Sequence, residues 1–387
     1  MSQTSNKSSL ASLFAVVIVD LIGLGIVLPI LPFFAEQAGA SSSQLGLLFT
    51  CYAAMQFVFA PIWGRLSDRI GRRPVILITV AGTALSLATL GFAQTLPWLF
   101  VARLLGGFFG ANISVASAYI TDATDSEERA RYMGLLGASF ALGFILGPVI
   151  GGALASYGYH VPFLFAAGLA GVNLVVAFLR LEELPVQAKA EDESDGGFRG
   201  GLSPEVLRFC AAYFIFVFGV SQLETMFAFF MLDRFQWEAH QVAFILAMMG
   251  VLSALIQGGA IRPLVRWFGE KKLLLIGCTL LAPSLASVPF APTVALLLIP
   301  LAIASMARGL VHPALLSRVS SAAPVGERGG VMGTFQSSAS LARVFGPVTA
   351  GFLYDQNFAW PFWLAGALML LVLSLAAGVR PLEAPAS

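Results

Sequence analysis

Apolar runs of about 20 residues recur from one end of this chain to the other, each long enough to cross a hydrocarbon core ~30 Å thick as a helix rising about 1.5 Å per residue. Twelve can be counted. They predict an all-α polytopic membrane protein of twelve transmembrane helices, with working spans at 10–32, 44–65, 74–93, 97–120, 131–155, 161–180, 205–231, 240–266, 271–290, 293–318, 328–353 and 359–379.

Composition agrees and excludes other classes. Of the 387 residues, 58% are hydrophobic and only 11% charged, far from the usage of soluble domains. A formal net charge of +1 leaves no basic surface for a nucleic acid. Cys51, Cys210 and Cys278 each fall inside an apolar run, so neither a disulfide framework nor a metal site is expected. The first run follows Lys7 and could pass for a signal peptide, but Asp20 and two prolines interrupt it and further spans follow, so it reads as span one.

Basic residues fix the orientation, because they concentrate on the cytoplasmic side. With the N-terminus inside, eighteen of the 22 Lys and Arg fall in inner segments and only Arg234 in an outer loop, while Arg103, Arg308 and Arg343 lie within spans. Both termini are therefore expected in the cytoplasm, at a cell (inner) membrane, which also supports an even number of spans. The one long polar segment, residues 181–203, carries Glu182, Glu183, Glu191, Asp192, Glu193 and Asp195 and reads as a solvated linker.

A search for self-similarity divides the chain at that linker. Residues 110–152 match 309–351 without a gap: Gly110, Glu128, Arg129, Met133, Gly134, Ser139, Leu142, Gly147, Pro148, Val149 and Gly152 recur 199 positions on, as Gly309, Glu327, Arg328, Met332, Gly333, Ser338, Leu341, Gly346, Pro347, Val348 and Gly351. The expected organisation is a six-helix bundle at 1–180, the linker at 181–203 and a second six-helix bundle at 204–387. The halves are not identical, since the loop GRLSDRIGRRP (64–74) has a counterpart at 262–272 that keeps a glycine, Gly269, but places Arg266 where Asp68 stands.

Four stretches carry recognisable chemistry: GRLSDRIGRRP between spans two and three, Asp20 with GLGIVLPILP in span one, RLLGGFFGA in span four and GASFALGFILGPVIGG in span five. Together and in this order they resemble the major facilitator superfamily, and within it the twelve-span drug:proton antiporters, with the greatest likeness to the tetracycline efflux proteins. The likeness is dense over residues 15–155 and weaker beyond. It implies export of antibiotics and other drugs, coupled to protons, without naming a substrate.

Each stretch also has a physical reading. Gly64 is expected to let span two approach a neighbouring helix closely, and Asp68 to meet backbone amides at a helix N-terminus, where negative charge is stabilised; the resemblance places that terminus at span eleven, near Arg328. Gly64, Asp68, Arg69, Gly71, Arg72 and Arg73 then form a conformational latch, although Arg72 and Arg73 also serve topology. Asp20, about ten residues into span one, lies near mid-membrane, where an acid is either a structural partner of a neighbouring helix or a proton carrier. Arg103 is either its coupling partner, as the resemblance implies, or a fixed counter-ion. Gly143, Gly147, Pro148 and Gly151 form a small-residue packing face on span five.

Polar residues inside other spans are candidates for a substrate cavity: Gln56, Asn112, Glu224, Gln257, Arg308, His312, Gln336 and Arg343, with Phe227 among the apolar neighbours of Glu224. Arg308 and His312, four apart, share a helix face, as do Gln336 and Arg343, seven apart. Three arginines against two intramembrane acids leave a positive charge that an anionic substrate, water or a helix-end position would balance. The chain reads as a monomeric secondary transporter of small molecules and protons, with no cofactor; the alternatives are an exporter or flippase of lipids or anionic metabolites and a non-transporting receptor. No convergent nucleophiles or metal ligands suggest an enzyme, and no GxxxxGK[ST] loop suggests a nucleotide-driven pump.

Overall fold

The computed structural model describes residues 3–183, 203–324 and 328–378. Fourteen α-helices run through them: α1 Gln3–Gln37, α2 Ser42–Ile70, α3 Arg72–Phe92, α4 Leu96–Phe109, α5 Asn112–Ala123, α6 Ser126–Ala155, α7 His160–Arg180, α8 Pro204–Phe235, α9 Ala239–Leu255, α10 Ile261–Phe268, α11 Glu270–Ser287, α12 Val294–Ala322, α13 Arg328–Gln356 and α14 Trp360–Ala377. Among the described residues eleven helical stretches are long and apolar enough to cross a membrane. The twelfth is α13, whose 29 residues reach about 44 Å but include Gln336, Ser337, Ser338, Ser340 and Arg343 and so dilute its hydropathy.

Two spans are interrupted. Span four reads as one apolar run but is built from α4 and α5, broken where Gly110 and Ala111 leave helical geometry. Span eight joins α9 to α10 through a π-helical turn, Ile256–Ala260, and its bulge places Gly258 and Gly259 in the open. Apolar periodicity registers neither break, because both keep the run hydrophobic.

Internal contacts divide the chain into two units, one of Met1–Ala188 with Ala228–Gly250, the other of Lys189–Phe227 with Val251–Ser387. In the first, α1 packs on α6 and α7, α2 on α4, and α3 on α4, α5 and α7. Its core holds Leu13, Val17 and Leu21 of α1, Val75, Ile76 and Val80 of α3, and Val115, Tyr119 and Ile120 of α5. In the second, α11 packs on α12 and α14. Most of the expected linker, residues 184–202, lies outside the described residues; its first part is tied to the first unit by the Tyr119 hydroxyl, which donates to the Glu182 carbonyl at 2.8 Å.

The outward surface is apolar. On α7 the side chains of Val172, Val175, Phe178 and Leu179, at i, i+3, i+6 and i+7, are all exposed along one stripe. A face of this kind is stable only against lipid, and the chain is a multi-pass membrane protein.

Candidate functional site

Polar side chains inside the spans gather into two clusters, one in each unit. In the first unit Asp20 stands seventeen residues from either end of α1. Its Oδ1 accepts a 2.9 Å hydrogen bond from Nδ2 of Asn112, which the break in span four puts at the first position of α5. Asn112 is buried and also reaches the Thr83 hydroxyl at 3.5 Å, while its own Oδ1 is buried without a hydrogen-bond partner among the described residues. The same break leaves the Gly110 carbonyl free of the helical ladder, and Gln56 on α2 takes it with a 2.6 Å bond. Broken helices are tolerated at this depth when side chains restore the freed backbone groups, and Gln56 does so here.

Arg103 lies in α4, 5% exposed. Its guanidinium sits over the ring of Tyr52 at 4.2 Å and over that of Phe49 at 5.7 Å, and its Nε reaches the Leu48 carbonyl at 3.4 Å. Cation–π contact of this kind holds a charge that has left water. No ion pair joins Arg103 to Asp20: the expected partner borders the same cavity but does not touch the acid, which bonds to a neutral amide instead. That cavity is about 50 Å³, enough for water, and is lined by Asp20, Tyr52, Gln56, Thr83, Ser86 and Arg103 among apolar residues. Tyr52, Thr83 and Ser86 were not among the expected site residues. Tyr52 was legible, four positions before Gln56 and so on its face; Thr83 and Ser86 depend on how α3 is rotated, which the sequence does not reveal.

The second cluster lies wholly in the second unit. Arg308 is fourteen residues from either end of α12, and Arg343 fifteen from the start and thirteen from the end of α13. Arg308 pairs with Glu224 of α8 at 2.5 Å. One turn along, His312 Nε2 lies 3.1 Å from the hydroxyl of Tyr213, and Tyr213 stacks flat on Phe335 with ring centroids 3.9 Å apart. On the same helix as Phe335, Arg343 stands three positions before Gly346, whose carbonyl accepts a 3.1 Å bond from Nε2 of Gln222 on α8. Tyr213 was not expected, though it precedes Glu224 by eleven residues, three helical turns on one face. Phe227, expected to line a cavity, is instead 1% exposed and spent on packing, because it follows Glu224 by three positions toward the covered side of α8. Gln336 and Gln257 are exposed; the Gln257 amide bonds Ser253 on its own helix at 2.9 Å.

At the junction of α2 and α3 the expected latch residues take definite places. Gly71 has φ +99°, a conformation that favours glycine, and its counterpart Gly269 has φ +75°. Arg72 is buried and spreads its guanidinium over three acceptors, Asp68 at 2.6 Å, Asp122 at 2.8 Å and the Ser67 hydroxyl at 2.6 Å. Arg73 donates to the Phe178 carbonyl at 2.7 Å and lies over that ring. Arg69 is exposed. The close approach expected at Gly64 is not met: no described atom lies within 4 Å of where its Cβ would stand. The helix terminus near Arg328 that the resemblance assigns to Asp68 cannot be placed, since residues 325–327 and the Arg328 side chain lie outside the described set.

On span five the small residues meet α1. A Cβ on Gly143 would strike Leu21, one on Gly147 would come 2.5 Å from Gly25 Cα, and Gly151 faces Ile26. Pro148 lies beside them, bordering an apolar pocket of about 430 Å³ shared with His240 and Phe244.

Comparison with known proteins gives this architecture a family. The sequence pattern described as Major Facilitator Superfamily matches residues 13–278 and 209–387. The tetracycline resistance protein, class C, of Escherichia coli is 32% identical over 382 residues, covering 95% of this chain and 96% of that protein. Multidrug resistance protein 2 of Bacillus subtilis (strain 168) is 30% identical, covering 97% and 96%. Among solved structures, the human organic anion transporter MFSD10 (TETRAN) superposes with TM-score 0.71 at 26% identity, over 97% of this chain and all of that one. A bacterial homolog of the human lysosomal transporter Spinster, inward-facing and occupied, reaches TM-score 0.82 at 16% identity, over 97% and 96%. Matched along its whole length, and folded as those structures are, the chain belongs to the Major Facilitator Superfamily of transporters.

Proposed function

We propose that this transporter exports small amphipathic, drug-like molecules in exchange for protons, by alternating access at a cell membrane with both termini in the cytoplasm. The observation that carries the proposal is Asp20: a carboxylate in the middle of a membrane-spanning helix, hydrogen-bonded to the neutral amide of Asn112 and bordering a small polar cavity. An ion at that depth is costly unless paired, wetted or neutralised. A neutral partner does not lock the acid in its ionised form as a contacting arginine would, so Asp20 is free to gain and lose a proton as water enters and leaves the cavity. Arg103, a permanent cation, borders the same cavity without forming the ion pair that would abolish uptake. The similarity to tetracycline and multidrug resistance proteins supports the class of cargo.

The test is uphill export from proteoliposomes under an imposed pH gradient, with ethidium and tetracycline as probes. Asp20→Asn should abolish gradient-driven export while leaving substrate exchange down its own gradient intact. Undiminished uphill export by that variant removes Asp20 from coupling; loss of both activities points to a structural acid instead.

A further inference from the structure

The second cluster has a charge that the protein itself does not balance. Of the two arginines at the middle of α12 and α13, Arg308 is met by Glu224, but Arg343 has neither an ion pair nor a hydrogen bond among the described residues and its side chain is exposed on the unit's surface. Two cations against one carboxylate leave one positive charge about 20 Å from either end of its helix, at a depth where an uncompensated charge is costly. Neither arginine can shed its proton to relieve this.

Nor is the ion pair sealed. The side chains of Arg308 and Glu224 are 42% and 43% exposed, so a solute at this face reaches both. Arg343 stands on α13 between Phe335, which stacks on Tyr213 of α8, and Gly346, whose carbonyl accepts from Gln222 of α8, so it lies along the stretch of α8 that carries Tyr213 and Glu224. The floor of the cluster is aromatic. Tyr213 and Phe335 are both buried and stacked face to face, and Tyr213 holds His312. The π-helical turn fixes the position of Arg308 from the other side: Ile256 and the Ser253 carbonyl pack on Gly309, with Ile256 side-chain atoms 3.0 Å from where a Cβ would stand.

We infer that Arg343 and Arg308 form a recognition site for the carboxylate of an anionic substrate, and that Glu224 is the resident carboxylate that competes with it for Arg308. A guanidinium presents a planar fork of donors that matches a carboxylate. With no substrate, Glu224 occupies one fork and the other is unfilled; a substrate carboxylate on Arg343 completes the charge balance and shares Arg308. The site thus selects for an anionic group, a narrower class than amphipathic molecules in general, and it rests on the transport reading above for its biological meaning.

Equilibrium binding to the full-length purified protein in nanodiscs tests it, using naphthaleneacetate and its uncharged isostere naphthaleneacetamide followed by intrinsic fluorescence. The wild type should bind the acid about tenfold or more tightly than the amide, the discrimination expected of a charge-assisted hydrogen bond. Arg343→Gln should erase that preference, Arg343→Lys should retain part of it, and Glu224→Gln, which keeps an amide oxygen for Arg308 but removes the competing charge, should enlarge it. Since Arg343 makes no hydrogen bond or ion pair among the described residues, its replacement should not lower the thermal unfolding midpoint, so loss of preference cannot be mistaken for misfolding. Equal affinity for acid and amide, no binding of either, or a preference that survives Arg343→Gln overturns the inference. Binding uses no proton gradient, so a wild type that selects the acid yet performs no uphill export refutes the transport reading and leaves the anion site standing.

Discussion

Asp68 and Arg72 stand four positions apart across the α2–α3 junction, yet the structure gives them unequal parts. Arg72 is buried and bridges the α2–α3 junction to Asp122 at the end of α5, so its removal strands two carboxylates and a hydroxyl. Asp68 is 46% exposed and meets Arg72 across the junction, and a pair whose carboxylate stands half in water contributes about 0–1 kcal/mol. Arg72→Ala should therefore cost about 1–3 kcal/mol and lower the thermal unfolding midpoint of the purified protein, whereas Asp68→Asn should barely move it. The proposed latch role of Asp68 has its own readout: Asp68→Asn should shift spin-label distances between the cytoplasmic ends of the two halves toward inward-open values. A lowered midpoint with unchanged distances would make Asp68 structural and end the latch proposal. These partnerships show where sequence reasoning stops at this scale. The identities Asp20, Arg103, Glu224 and Arg308 stand out in apolar runs because charge there is rare, but which of them touch depends on helix rotation. Asp20 bonds to Asn112, 92 positions away, and Arg308 to Glu224, 84 positions away, and no spacing within one helix encodes either choice.

At the level of elements, the crossing of α1 and α6 is sensitive to a single methyl group. Without a hydrophobic force to draw them together in lipid, membrane helices associate through close packing, and small residues permit it. The glycines of α6 divide sharply by this criterion. Gly147 faces Gly25 backbone to backbone, while no described atom lies within 4 Å of a Cβ added at Gly134 or Gly137. Gly147→Leu should force the helices apart, at about 1–3 kcal/mol or more of overpacking, seen as a lower folded yield and loss of a monodisperse elution peak. Gly137→Ala should be neutral or stabilising by about 0.5–1 kcal/mol, as expected for removing glycine from a helix interior. Equal behaviour of the two variants would mean that the glycines of span five act through flexibility instead of packing. The glycine face was readable from the run of small residues, as were the twelve runs themselves, because length and hydropathy are one-dimensional properties. The break between α4 and α5 and the π-turn after Leu255 were not readable, because each arises from which backbone carbonyl finds a side-chain or tertiary partner; at Gly110 that partner is Gln56, half a bundle away in sequence.

For the whole molecule, the strongest sequence-level constraint that the fold alone leaves open is orientation, since a bundle of membrane helices inserted upside down has the same internal contacts. What breaks the symmetry is charge. Eighteen of the 22 basic residues fall in segments of one side, and a short loop carrying Lys or Arg resists translocation. Twelve helical spans, eleven of them by hydropathy and the twelfth in α13, return the chain to the side on which it began. The 199-residue repeat agrees, because two parallel copies of a unit insert the same way only if each contains an even number of spans. Together they support the proposed cytoplasmic position of both termini, charge giving the side and the even count returning the chain to it. Fusions at Ser387 provide the measurement: a C-terminal green fluorescent protein should fluoresce, and alkaline phosphatase at the same site should be inactive, whereas phosphatase fused in the outer loop after Phe235 should be active. The reverse pattern would invert the topology and place the α2–α3 junction, with Asp68, Arg72 and Arg73, on the outer face. An active phosphatase at both positions would mean an odd number of spans and would remove the parallel duplication on which the two-halves reading depends.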